Sequence, residues 1–176
     1  MKNKDTSLLH LTKLPDIITL LNLICGVLAI FFSFNKNISI AVYLIFAAVI
    51  FDFLDGKIAR LTKRKGNLGI ELDSLADLVS FGVAPAAIFY NLGMIGYYQI
   101  AILLFFICCG ALRLARYNIM KTEMDVKDYY AGVPITINGI LFPVLALIGL
   151  SIFYIQFIFI LMGLLMISKI KIKKII

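Results

Sequence analysis

DFLDGKIAR at residues 52–60 and GIELDSLAD at residues 69–77 place four aspartates between apolar segments long enough to enter a membrane. If these segments are helical, the first two aspartates stand at i and i+3 and the second two at i and i+4. Each pair then shares a helix face, with Cβ atoms about 5–6 Å apart. Four central aspartates would cost about 10 kcal/mol to insert, so we expect a divalent cation among them. The four are Asp52, Asp55, Asp73 and Asp77.

The composition is that of a polytopic membrane protein. Hydrophobic residues make up 62% of the 176 residues and the mean hydropathy is +1.00, whereas soluble globular chains are about 45–50% apolar. The length suits one domain, 1–176. A formal net charge of +7 could indicate nucleic-acid binding, but the chain has no soluble module with a basic, aromatic-interleaved face. We therefore expect no nucleic-acid partner.

Apolar runs and turn signals predict an all-α fold with six transmembrane helices. The predicted core is 15–168, followed by a basic tail at 169–176. Residues 1–14 form either a short interfacial helix or a frayed tail, with equal support for each. The predicted spans are about 15–34, 38–59, 70–90, 97–112, 132–149 and 152–168.

Charge distribution sets the predicted orientation. With six spans, both termini lie on one side, together with sixteen of the seventeen Lys and Arg residues; only Lys36 is left opposite. By the positive-inside rule this side is the cytoplasm. We expect a plasma-membrane protein whose aspartates lie at similar depth in one helical hairpin, with an active site that faces the cytoplasm.

The aspartates predict a hard oxygen site. They have no Cys or His companions in a metal-binding pattern: the three cysteines lie in apolar runs as core residues, and the only histidine, His10, is a weak candidate for acid–base catalysis. Mg²⁺ or Mn²⁺ suits such oxygens, and two ions would clamp a phosphoryl group. Gly56 and Gly69 would let a nucleotide approach the backbone, and Arg60 can bind phosphate in a bidentate manner.

Each of these features also has a structural interpretation. A single aspartate in an apolar run is often paired with a basic residue, although four at matched depth are harder to explain in that way. Glycines also permit close helix packing. The basic residues 63–65 are a topology determinant first, and contact with nucleotide or anionic lipid is a minority alternative.

The pattern D-x2-D-G-x2-A-R-x8-G-x3-D-x3-D is met at every fixed position and resembles the signature of the CDP-alcohol phosphotransferases. These are integral membrane enzymes that transfer a phosphate-linked group from a CDP-activated donor to an alcohol and release CMP. The resemblance implies that the four aspartates hold two divalent ions, that the last, Asp77, is the general base, and that the protein is a homodimer. The residues that it places along CDP are Thr19, Gly56, Ala59, Arg60 and Gly69. The usual Pro-Asn opening of the first span reads Pro15-Asp16 here.

Within the family, residues 72–85, 112–118 and 132–134 are similar to membrane-embedded phosphatidylserine synthases. This resemblance implies transfer from CDP-diacylglycerol, or a CDP-linked ether lipid, to L-serine in the lipid bilayer. The serine carboxylate needs a cation, and the cytoplasmic end of the fourth span offers Arg113 and Arg116, with Asn118 beside them. The alternative for both arginines is a role as positive-inside anchors.

Three other functions are consistent with parts of this pattern. A sibling enzyme would use glycerol 3-phosphate or inositol phosphate and would favour a denser basic pocket. A divalent-cation channel or transporter would line its path with the aspartates, yet only two of the six predicted spans carry acidic pairs, both near one side. An interaction protein with a structural metal site would bind metal without turnover.

Overall fold

A computed structural model of the protein describes residues 14–61, 67–123 and 129–173. Within them most residues are helical, with short turns and one short pair of strands. The predicted interfacial segment, except Leu14, and the predicted basic loop at 63–65 lie outside the described residues. The elements are α1 (Leu14–Phe34), α2 (Ile38–Leu61), α3 (Asn67–Asp77), a π-helical segment (Leu78–Val83), α4 (Ala84–Asn91), α5 (Tyr97–Glu123), β1 (Tyr129–Ala131), a 3₁₀ turn (Ile135–Ile137), α6 (Asn138–Ile148), α7 (Ile152–Ile167) and β2 (Lys171–Lys173).

The protein is a multi-pass membrane protein, and four of its helical stretches are long and apolar enough to cross a bilayer. Two further apolar helices, Ile135–Ile148 and Ile152–Ile167, are shorter. The predicted all-α architecture is confirmed for the first four spans, and the last two spans stay a prediction. The four long stretches are Pro15–Phe34, Ile38–Leu61, Leu68–Asn91 and Tyr97–Met120.

The helices of the fourth and fifth predicted spans, α5 and α6, differ from their predicted bounds. Helix α5 continues to Glu123, well beyond the expected end of the span near residue 112. Charged and polar residues are unfavourable in the hydrocarbon core of a membrane, but they still form a helix readily outside it. The fifth helix, expected from residue 132, begins at Asn138. Gly132 has a φ of +80°, and Pro134 is in an extended conformation, so no regular helix can start there.

One pair of strands near the C-terminus was not predicted. β1 and β2 pair antiparallel, with Tyr129 opposite Lys173 and Ala131 opposite Lys171. Three residues are too few to give a recognisable period-2 pattern, and the two partners are far apart in sequence. The segment before α6 is thereby connected to the segment after α7.

A cluster of four phenylalanines packs α4, α5, α6 and α7 together. Phe142 and Phe159 stack with ring centroids 3.9 Å apart, and Phe89 and Phe106 meet both rings edge-on at 4.9–5.8 Å. All four side chains are buried. These aromatic contacts hold the C-terminal helices against the part of the bundle that carries the aspartates.

Helix α1 lies close against the π-helical segment at Gly26. A Cβ on Gly26 would stand only 2.8 Å from the Cα of Ser80, so any larger residue would push the two elements apart. The Ser80 hydroxyl donates a hydrogen bond to the carbonyl oxygen of Asn22 (3.0 Å). This close approach fixes α1 beside the second pair of aspartates.

Candidate active site

Three aspartates from two helices converge at the α2–α3 hairpin. Carboxylate oxygens of Asp52, Asp55 and Asp73 lie within 4.8 Å of one another. Asp55 is buried, and the other two are half-buried. The two helices run in opposite directions, so the last third of α2 meets the middle of α3. Three negative charges at this separation repel one another strongly unless a cation or protons lie between them.

Helix α1 supplies a hydrogen bond to this cluster. The Thr19 hydroxyl lies 2.7 Å from Oδ2 of Asp55 and 3.1 Å from the carbonyl oxygen of Pro15. A hydroxyl has a single proton, and the shorter distance favours donation to the carboxylate. The Thr19 hydroxyl thus orients Asp55, and the predicted contact of Thr19 with CDP stays a prediction.

Asp77 lies beside the three-carboxylate cluster and outside it. Its side chain is 7% exposed, and its carboxyl group is within hydrogen-bonding reach of Asp52. Asn22 on α1 is fully buried and places Nδ2 3.4 Å from Oδ1 of Asp77, while its own Oδ1 has no hydrogen-bond partner among the described atoms. The Asn22 amide therefore fixes one edge of the Asp77 carboxyl group.

The helix changes its winding directly after Asp77. Residues 78–83 form a π-helical segment, which inserts extra backbone into the helical path and is frequently found at functional sites. This segment carries Ser80, whose hydroxyl bonds to the Asn22 backbone. Asp77, Asn22 and Ser80 thus form one connected unit between α1 and the third span.

Sequence reasoning assigned no role to Asn22 or Ser80. One signal was available: Asp16, Thr19 and Asn22 recur every three residues in an otherwise apolar span. Such spacing marks a single helix face. All three side chains are at most 1% exposed in the structure. A polar stripe of this kind, buried in a membrane helix, indicates a site rather than a lipid-facing surface.

Arg113 is a buried basic group near the aspartates. It is 5% exposed, and its charge acts on both Asp52 and Asp77. The guanidinium carbon lies 5.2 Å from the ring centroid of Tyr117, one turn further along α5. A buried guanidinium group is suited to hold an anionic group by hydrogen bonds and charge.

The other two predicted acceptor residues have different surroundings. Arg116 donates three hydrogen bonds of 3.0 Å to the carbonyl oxygens of Met166, Ile167 and Ser168, at the end of α7. Asn118 donates a hydrogen bond from its side-chain amide to the Ser74 hydroxyl on α3 (3.0 Å).

The predicted CDP-contacting residues of the hairpin lie near the end of α2 and the start of α3. Gly56 is half-buried, and a Cβ placed on it would meet no atom within 4 Å. Ala59 is half-buried, and Arg60 is exposed at the end of α2. Gly69 is buried near the start of α3. Space therefore exists beside Gly56, and phosphate binding by Arg60 stays a prediction.

The chemistry of the cluster fits a hard divalent cation. All three groups within 4.8 Å are carboxylates, and the cluster includes no nitrogen or sulfur donor. Carboxylate oxygens are the ligands that Mg²⁺ and Mn²⁺ prefer. The three carboxylates, with Asp77 beside them, are thus suited to a divalent metal site.

Comparison with known proteins gives the family. Residues 12–168 match the model of the CDP-alcohol phosphatidyltransferase family. The chain belongs to this family. The family model covers the aspartate hairpin, Thr19 and Asn22 on α1, and Arg113. Enzymes of this family generally use divalent metals.

Three curated relatives carry the same name, "CDP-diacylglycerol--serine O-phosphatidyltransferase". The one from Methanocaldococcus jannaschii is 40% identical over 169 residues, which is 96% of this chain and 77% of that protein. The one from Bacillus subtilis is 39% identical over 135 residues, 76% of this chain and 75% of that protein. The one from Helicobacter pylori strain J99 is 39% identical over 132 residues, 72% of this chain; the match spans 54% of that protein, about half its length.

Proposed function

We propose that the protein transfers a phosphatidyl group, or its ether-lipid equivalent, from CDP-diacylglycerol to L-serine and releases CMP. One observation carries this proposal: an oxygen-only carboxylate cluster lies beside a buried carboxyl group and a buried arginine, within a chain of this family. The names of the relatives support serine as the acceptor. The carboxylate cluster would bind the metal that neutralises the diphosphate of the donor, the buried carboxyl group would accept the proton of the alcohol, and the arginine would bind the serine carboxylate.

The residues around the cluster divide the work of the reaction. The serine hydroxyl oxygen attacks the β-phosphorus, the bond from that phosphorus to the CMP oxygen breaks, and CMP leaves. Asp77 accepts the hydroxyl proton, and Asn22 keeps its carboxyl group in place. Arg113 holds the serine carboxylate, with Asn118 further along α5. Arg60 binds the diphosphate, beside the space left by Gly56.

The carboxylates Asp52, Asp55 and Asp73 would hold Mg²⁺ or Mn²⁺, with Asp77 completing a site for two ions. Such ions supply charge neutralisation for the phosphates of the donor when bound. Thr19 keeps Asp55 in position for this role by the hydrogen bond from its hydroxyl.

The proposed topology has six spans, with both termini and the aspartate site on the cytoplasmic side of the plasma membrane. The two shorter apolar helices would cross as spans five and six. Helix α7, at 16 residues, is about 24 Å long, and thinning of the bilayer or tilting of its neighbours would accommodate the difference from about 30 Å. We further propose that residues 1–176 form a single domain that works as a homodimer.

Measurement of CMP release tests the proposed reaction. Purified protein is incubated with CDP-diacylglycerol, Mn²⁺ or Mg²⁺, and one acceptor at a time: L-serine, glycerol 3-phosphate or inositol phosphate. We expect metal-dependent CMP release with serine alone. Release with a phosphorylated alcohol instead would identify a sibling enzyme, and metal binding without any release would contradict enzymatic function.

A further inference from the structure

Glu71, Ser74 and Asn118 form a hydrogen-bonded cluster between α3 and α5. The Asn118 Nδ2 donates to the Ser74 hydroxyl oxygen at 3.0 Å and lies 3.5 Å from Oε2 of Glu71. The Ser74 hydroxyl in turn lies 3.2 Å from Oδ1 of Asn118. Ser74 and Asn118 are half-buried, whereas Glu71 is exposed. The amide thus orients a carboxylate that remains accessible to solutes.

This cluster continues the face of α3 that carries the proposed base. Glu71, Ser74 and Asp77 follow one another at intervals of three residues, so they form a row along one side of the helix. Ser74 is about 4.5 Å along the axis from Asp77. On α5, Asn118 follows Arg113 by five residues, about 7.5 Å along the axis. Along the two helices, the cluster therefore lies about 5–9 Å further along the axis than Asp77 and Arg113.

The Glu71 carboxylate is exposed, whereas that of Asp16 is buried. Among the described side chains, which cover residues 15–61, 68–120 and 132–170, the only acidic residues besides the four aspartates are Asp16 and Glu71. Asp16 is 1% exposed within α1. A small solute that approaches the site can therefore reach the Glu71 carboxylate and cannot reach that of Asp16.

We infer that Glu71, held by Asn118 and Ser74, is the subsite for the ammonium group of the acceptor alcohol. This inference rests on the proposed function. Serine is a zwitterion, and its carboxylate and hydroxyl are assigned above to Arg113 and Asp77. Its ammonium group has three N–H donors, and the Glu71 carboxylate and Ser74 oxygen are acceptors for them.

The same carboxylate disfavours phosphorylated alcohols. A negative charge on Glu71 repels the phosphate of glycerol 3-phosphate or inositol phosphate at the distance where it attracts an ammonium group. Specificity is a difference between affinities, and a repulsive group against the competitor contributes as much as an attractive group for the substrate. Glu71 is thus a specificity-determining residue of the acceptor site.

Comparison of serine with 3-hydroxypropanoate, which is serine with hydrogen in place of the amino group, tests this inference. Glu71→Gln preserves the size of the side chain and an oxygen for Asn118, but removes the charge. We expect kcat/KM for serine to fall about 10- to 100-fold, the usual effect of a hydrogen bond to a charged group, mostly through KM. The values for 3-hydroxypropanoate and the KM for CDP-diacylglycerol should change less than about threefold.

Glu71→Asp is the matched control, because it keeps the carboxylate; it should retain most of the preference for serine. Glu71→Lys should in addition raise the use of glycerol 3-phosphate relative to serine. If the ratio of kcat/KM for serine to kcat/KM for 3-hydroxypropanoate is unchanged in Glu71→Gln, the inference is overturned and the proposed function stays intact. Absence of serine-dependent CMP release in the wild-type protein would overturn both.

Discussion

Asn22 connects the first span to the proposed base. Its amide donates to Asp77, and its backbone accepts a bond from Ser80, so one buried residue positions a group on a different helix. Such contacts depend on how closely α1 approaches the third span, which Gly26 permits. The sequence shows the polar stripe on α1, but it does not show which side chains of other helices the stripe contacts. Asn22 and Thr19 could therefore be selected as site residues, but not paired with Asp77 and Asp55.

Replacement of Asn22 by alanine should reduce turnover without a comparable loss of substrate binding. Asp77 would lose the donor that fixes it, and small misplacements of a reacting group lower rates by up to about 10²-fold. We expect kcat to fall about 10- to 100-fold, with KM for CDP-diacylglycerol changed less than about threefold. Steady-state kinetics of CMP release would measure both.

Asn91→Ala is a matched control for this variant. Asn91 is an amide that also connects to α1, through Ser33 (3.0 Å), at the opposite end of the bundle. Its loss should lower thermal stability and leave kcat nearly unchanged. Equal kinetic effects of the two substitutions would show that Asn22 acts through general stability alone.

Asp77→Asn addresses the base itself. The amide preserves the shape of the side chain but is a far weaker proton acceptor, and base catalysis contributes about 10²–10⁴-fold. The rate should fall by at least that amount, with donor affinity changed much less. Metal affinity must be measured on the same sample, because loss of a ligand would also lower the rate. Turnover within a few-fold of wild type at saturating metal would remove Asp77 from the proposed mechanism.

At the level of the elements, the α2–α3 hairpin was the most predictable part. Short connections between apolar helices make them antiparallel neighbours, and the i+3 and i+4 spacings then bring the aspartates to one depth. The π-helical segment after Asp77 was not predictable, because tertiary packing determines it, whereas Gly132 and Pro134 were available signals for the delayed start of α6. The strand pair depends on where α7 ends in space.

Arg116 holds the end of α7, and its removal should destabilise the protein. Helix C-termini leave carbonyl oxygens unsatisfied, and this side chain satisfies those of Met166, Ile167 and Ser168. Loss of charged hydrogen bonds costs about 1.5–3 kcal/mol. At about 2–4 °C per kcal/mol for a chain of this size, Arg116→Ala should lower Tm by about 3–12 °C. Thermal unfolding in detergent would measure the shift.

Lys169→Ala is the control for Arg116, because it removes a nearby exposed positive charge that lies after α7. It should leave Tm within about 2 °C, the range of ordinary surface substitutions. If Arg116→Ala instead keeps the wild-type Tm and raises KM for serine, Arg116 binds the acceptor, as the sequence first indicated.

For the whole molecule, orientation in the membrane decides which compartment supplies CDP and serine. The distribution of Lys and Arg predicts that the hairpin loop faces the cytoplasm and that Lys36 faces outward. Gly66→Cys and Lys36→Cys, each in a background without Cys25, Cys108 and Cys109, provide one reporter on each side. In sealed cells a membrane-impermeant maleimide should label position 36 only. Labelling of both positions from outside would contradict the topology.

The central claim is that Asp52, Asp55 and Asp73 form one divalent-metal site, and calorimetric titration with Mn²⁺ tests it most directly. Wild-type protein should bind up to two Mn²⁺ ions per chain. Each of Asp52→Asn, Asp55→Asn and Asp73→Asn should weaken binding about tenfold or more, since each removes one charged ligand from a shared cluster. Folding of every variant is verified by its Tm before titration. Wild-type Mn²⁺ affinity in all three folded variants would contradict the claim.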